Sequence, residues 1–194
     1  ALVDEYYERY TILLDGRDPA EFRRHVAVQA QIEIGIERFL KEKNYQAVVT
    51  HFDDLEGLQQ LPGLAIQRLE EKGYGFGAEG DWKTAAMVRL MKLMTAGMKD
   101  AKGTSMLEDY TYNMVPGKEG ILQAHMLEIC PTLADGPISI RCQPLSMGRR
   151  GRPGPPCVHL QDRPRHRDLA DRSGHPLPPG HPGSGLQEER EAHA

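Results

Sequence analysis

The chain has 194 residues, 39% hydrophobic and 27% charged, enough for one ordinary domain or for pieces of two. A formal charge of -4 and a pI near 6.1 supply no basic field for a phosphate backbone or an anionic bilayer, so neither nucleic acid nor membrane is an expected partner. No apolar run reaches the roughly 18 residues of a membrane helix, and ALVDEYYERY lacks the basic start and apolar stretch of a secretory leader, so a cytoplasmic protein is expected.

The first clear element begins at Asp18-Pro19-Ala20-Glu21, which sets an N-cap, a first-turn proline and an N3 carboxylate in capping-box order. A helix follows, with Phe22, Val26, Ile32, Ile34, Ile36, Phe39 and Leu40 largely on one side, ending near Lys43-Asn44. AVVTHF at 47–52 reads as a buried strand. A short helix over 64–71 closes on Gly73, and a second amphipathic helix covers 81–98. The glycine cluster between them, GYGFGAEGDW, matches neither G-x-G-x-x-G nor a P-loop, and reads as a flexible turn between helix and helix. From Ser105 the pattern changes: LEDYTYNM, ILQAHMLEI and ISIRCQPL read as strands separated by PGKEG and DGP turns. The expectation is α/β followed by β-rich: the end of an α/β domain over 1–102, joined to the start of a β-rich domain over 103–148.

Residues 149–194 are chemically different. They hold eight of the 14 prolines, five of the eight histidines and eight arginines, and lack Lys, Ile, Phe, Tyr, Trp and Met. Such a stretch buries too little apolar surface to offset its ordering entropy and is expected to be disordered. It reads as a polyproline-like tail or, as the favoured reading, a frameshifted translation of GC-rich DNA. Cys130, Cys142 and Cys157 form no CxxC pair and leave one over in any disulfide scheme, so all three are expected as free thiols.

Three residues carry candidate chemistry. Glu79, set among Gly77, Ala78 and Gly80 just before a helix, is either a helix-start carboxylate or a ligand where backbone approaches closely. Glu108 and Asp109 share a strand, so their side chains should face opposite ways; a solvated edge strand explains both, and a site explains one. His125 lies among apolar neighbours and is either a core histidine bonded to a carbonyl or an imidazole ligand. Together two carboxylates and one imidazole suit a hard or borderline divalent ion such as Mn²⁺.

The runs LPGLAIQRLEEKGYGFGAEGDWKTAAM, GTSMLEDYTYNM and HMLEICP, in this order and spacing, resemble the L-arabinose isomerase family over about residues 1–148. The resemblance implies an internal piece of a fucose isomerase-like architecture whose C-terminal domain is β-barrel-like. It implies Glu79, Glu108 and His125 as ligands of Mn²⁺, with the two glutamates also the acid/base pair. Phe52 would be a wall of the substrate pocket, Tyr110 a further substrate-side residue, and residues 81–83 would support the site. The implied reaction is L-arabinose to L-ribulose, and D-galactose to D-tagatose, through a metal-stabilised enediol, by an enzyme that is a homo-oligomer in its complete form. The family's fourth ligand is a histidine beyond the matched region, and its N-terminal domain contributes substrate contacts. The competing expectation is therefore a non-catalytic truncated fragment, inactive alone. A glycoside hydrolase using Glu79 and Glu108 is the unrelated alternative, separated by its indifference to chelator.

Overall fold

The computed structural model describes residues 1–51, 54–55, 57–99, 101–125, 127–144 and 156–162. Helix α1 (Leu2–Arg9) and strand β1 (Thr11–Leu13) open the chain, neither expected from the sequence. Helix α2 (Pro19–Lys43) starts where the capping box places it: Asp18 Oδ1 accepts from the Glu21 N–H at 2.8 Å. It stops at Asn44, which adopts the left-handed conformation at φ 54°.

Strand β2 (Ala47–Val49), helix α3 (Gly63–Glu71) and strand β3 (Gly75–Gly77) form a β-α-β unit with β2 and β3 parallel. The glycine cluster is thus a strand where a flexible turn was expected. Gly-Phe-Gly shows no alternation, and its glycines serve contact with the following helix α4 (Trp82–Thr95), not looseness. Strands β4 (Asp109–Asn113) and β5 (Gly120–Ala124) make an antiparallel hairpin around the expected turn, where the Lys118 N–H reaches the Val115 carbonyl at 2.9 Å. Strand β6 (Ile138–Pro144) pairs in parallel with β1 and antiparallel with β7 (Pro156–Asp162). Among the described residues the three sheets are open, and no barrel closes.

Strand β7 corrects the expectation of disorder across 149–194, at least over residues 156–162. PCVHLQD has the period-2 alternation of a strand, and Val158 and Leu160 are buried against Tyr6, Phe22 and Ile140. The low apolar content of the whole stretch hid this short window. The rest of that stretch lies outside the described residues. Cys130 and Cys142 are free and buried, while the Cys157 side chain lies outside the described set. Among the described residues no helix is long and apolar enough to cross a membrane.

Helix α3 sits between two apolar clusters, giving Leu64 to the one with Phe22 and Ile140, and Ile66 and Leu69 to the one with Leu40, Phe76 and Met106. A helix buried all round must find partners for every polar side chain it carries. Arg68 turns to Glu33 at 3.5 Å and Glu5 at 2.5 Å, beside Tyr6 and Tyr10. Glu33 is itself fully buried, bonded to the Tyr6 hydroxyl and to Lys72 Nζ at 2.7 Å. The buried face of α2 is therefore partly polar, carrying Gln29 and Glu33, while Ile34 and Phe39 stand half exposed. That departs from the apolar stripe expected, because paired charges buy their place in the interior.

Gln67 clamps β7. Its Nε2 donates to the carbonyls of Ile129 and Leu160, each at 3.0 Å, and its Oε1 accepts from the Leu160 N–H at 2.7 Å. Substituting Gln67→Leu would strand these buried backbone groups at about 1 to 3 kcal/mol each, partly relieved by water. The expected loss is about 2 to 4 kcal/mol in urea unfolding; a loss below about 0.5 kcal/mol would show that β7 is not held by this side chain.

Candidate metal centre

His125 follows the last residue of β5, and Glu108 precedes the first residue of β4. Because Asp109 pairs with Ala124 at the open end of the hairpin, the register sets the two side by side. His125 Nδ1 lies 3.1 Å from Glu108 Oε1, and the imidazole is 5% exposed. On the other side Nε2 lies 3.1 Å from Glu128 Oε2 in hydrogen-bond geometry. The Glu108 contact is a charge contact outside that geometry, so among the described residues the buried Nδ1 has no hydrogen-bond partner. Burial works to lower the His125 pKa, but the carboxylates of Glu128 and Glu108 outweigh it and hold the imidazolium above its ordinary range.

The segment after His125 is bent sharply. Leu127 has φ 74°, a conformation that costs a bulky side chain energy, and the bend turns Glu128 back onto the ring three residues earlier. Beneath, Ser105 forms a hub: its Oγ accepts from the Cys130 N–H at 3.0 Å and stands 3.2 Å from Glu70 Oε1 and 3.4 Å from the Glu128 carbonyl. Its single proton serves one of those two oxygens. Glu70 is buried, and burial raises its pKa to about 8, with Lys92 opposing and Glu128 reinforcing the shift. Lys92 Nζ donates to the Thr104 carbonyl at 2.8 Å, fixing the other side of Ser105.

Strand β3 runs beside this centre. The Phe76 ring centroid is 6.5 Å from that of His125, and the Ala78 N–H lies 2.9 Å from Met106 Sδ. Glu79 comes next, at φ 52°, in the turn that leads to the Asp81 N-cap of α4. Asp81 Oδ1 accepts from the Thr84 N–H at 2.9 Å, which fixes that helix start. The turn itself is tied to β2 by the Gly80 N–H on the Thr50 carbonyl at 3.1 Å.

Glu79 is exposed, and among the described residues no group of three or more His, Cys, Asp and Glu side chains is gathered as a metal would need. The structure thus brings Glu108 and His125 together and leaves Glu79 apart, on an adjoining segment. Tyr110 lies on β4 with half its surface exposed, two residues from Glu108. Phe52 lies outside the described residues, as does the Asp109 side chain. Sequence reasoning missed Glu128, Ser105 and Glu70. A signal for Glu128 was present, since an acid three residues after a histidine in an apolar run is placed to hold the ring.

Fold and centre together define a mixed α/β chain in which a buried histidine stands between two carboxylates. The model of the L-arabinose isomerase central domain matches residues 1–97, and that of the L-arabinose isomerase C-terminal domain matches residues 103–162. The chain is 54% identical over 152 residues to the L-arabinose isomerase of Geobacillus stearothermophilus, covering 78% of the chain and 30% of that protein. It is 52% identical over 153 residues to that of Clavibacter sepedonicus, covering 79% and 30%. For the Thermotoga neapolitana protein of the same name it is 52% identical over 152 residues, covering 78% and 29%. The chain belongs to the L-arabinose isomerase family and spans about 30% of the length of the curated relatives it matches.

Proposed function

We propose that this chain carries part of the active site of a Mn²⁺-dependent aldose–ketose isomerase. The reaction is the interconversion of L-arabinose and L-ribulose, with D-galactose and D-tagatose as a related pair. The complete enzyme is proposed to be cytoplasmic and homo-oligomeric, with a fucose isomerase-like architecture and a β-barrel-like second domain. The observation that carries the reading is the buried Nδ1 of His125, 3.1 Å from the Glu108 carboxylate and without a hydrogen-bond partner among the described residues. A nitrogen lone pair and a carboxylate converging on one point fit a divalent cation, and Glu79 on the neighbouring turn is the third donor of the proposal.

When bound, such a cation supplies Lewis-acid polarisation of the sugar carbonyl and stabilises the negative charge that develops there. The protein's own groups move the protons. Of Glu79 and Glu108, one takes the proton from the carbon beside the carbonyl and returns a proton to the former carbonyl carbon, while the other carries a proton from the hydroxyl oxygen to the carbonyl oxygen, each contributing roughly 10²- to 10⁴-fold. Tyr110 and Phe52 are proposed to face the sugar. A second reading, a non-catalytic piece that binds the cation weakly and is inactive alone, is favoured by the exposure of Glu79 and the lack of a three-donor group among the described residues.

Titrating Mn²⁺ into the full chain while following the electron-spin signal of the free ion tests the site. Wild type should bind one ion, and Glu108→Gln and His125→Ala should each weaken binding at least tenfold. Equal binding by all three proteins would remove the site. Ketose formation from L-arabinose, assayed on the same samples, separates the catalytic reading from the fragment reading.

A further inference from the structure

Glu128 receives no role from the resemblance, yet it is among the most deliberately held groups at the centre. It is 8% exposed, its backbone carbonyl faces the Ser105 hydroxyl, and the backbone at Leu127 is bent to φ 74° where its carboxylate meets His125. That carboxylate makes the hydrogen bond to the imidazole, at 3.1 Å on Nε2. A carboxylate only accepts, so when the ring is neutral its single proton is held on Nε2 and the lone pair is left on Nδ1. Nδ1 is the atom that faces Glu108. Without Glu128, the remaining carboxylate would draw the proton to Nδ1 and cap the lone pair.

We propose that Glu128 is the positioning residue of this centre, selecting the His125 tautomer whose Nδ1 lone pair is offered, beside Glu108, to a divalent cation. The inference rests on the function proposed above, but the tautomer can be read without any metal. Ser105 and the bend at Leu127 fix where the Glu128 carboxylate sits; Glu128 in turn fixes the ring. Such an arrangement stabilises a ligand already turned to its target, so ordering need not occur on binding.

Long-range ¹H–¹⁵N correlation of the His125 ring in the metal-free full chain, at a pH where the ring is neutral, reads the proton's position. Wild type should show protonated Nε2 and bare Nδ1. Glu128→Ala should move the proton to Nδ1, toward Glu108, and weaken Mn²⁺ binding by 10- to 100-fold. Glu128→Gln keeps the volume and an accepting oxygen, so it should retain the wild-type tautomer and bind Mn²⁺ within about threefold of wild type. It also separates this role from a general loss of folding. Protonated Nδ1 in wild type, or an unchanged tautomer in Glu128→Ala, would overturn the inference. Wild-type protein with protonated Nε2 and no Mn²⁺ uptake would support the role of Glu128 while removing the isomerase reading.

Discussion

Gly77→Ala should destabilise this protein by about 3 kcal/mol or more in urea unfolding. A Cβ at Gly77 would be driven into the Asp81 carbonyl oxygen, and would lie 3.1 Å from both the Ala85 nitrogen and the Asp81 carbonyl carbon. All of these are backbone atoms, so no rotamer can move aside. They also form the first turn of α4, in which the Ala85 N–H bonds the Asp81 carbonyl at 3.1 Å. The methyl must lift the helix from β3, and with it the turn that carries Glu79. The contrasting change is Gly35→Ala in α2, which meets nothing within 4 Å and should stabilise by about 0.5 to 1 kcal/mol. If Gly77→Ala were as well tolerated as Gly35→Ala, the close seating of α4 on β3 would be wrong.

Glu70→Gln should stabilise the chain at pH 9 by about 2 to 4 kcal/mol and have little effect at pH 4.5. The Glu70 pKa is raised from 4.5 to about 8, chiefly by burial. Between these values the unfolded chain releases a proton that the folded chain keeps. Protons then bound are fewer in the unfolded state, so stability falls as pH rises through that window and levels off above it. Glutamine carries no charge to desolvate and still accepts from the Ser105 hydroxyl, although it forgoes the attraction of Lys92, which trims the gain. Urea unfolding of both proteins at several pH values gives the difference directly. A gap that does not widen between pH 4.5 and 9 would mean that Glu70 is already ionised in the folded protein.

Much of the fold was written in local signals. The Asp18 cap, the Asn44 stop, the Asp81 cap and the turn around Lys118 each depend on neighbours within a few residues, and each stands where the spacing implies. What local reading missed depends on partners far along the chain. Glu33 and Arg68 are held in the interior by Lys72, Glu5 and Tyr6, partners that no local pattern names. Strand β3 is invisible by periodicity because Gly-Phe-Gly is fixed by β2 and α4. At the centre, residue type singled out Glu79, Glu108 and His125 as candidates and the resemblance supplied their role, and the hairpin register explains why the last two meet. Ser105 was hidden because a hydrogen-bond partner gives no sign in composition, while Glu128 was marked only by its spacing from His125.

Among the described residues strand β1 finds its neighbour in β6, and Arg141 Nη2 reaches Asp15 Oδ1 at 3.1 Å across 126 positions of sequence. Bringing such distant ends together costs about 4 kcal/mol of chain entropy before any contact rewards it. During synthesis the β1–β6 pairing must therefore wait until Ile138–Pro144 has left the ribosome. Chaperone demand during that interval follows from topology and would be little changed by strengthening the finished fold.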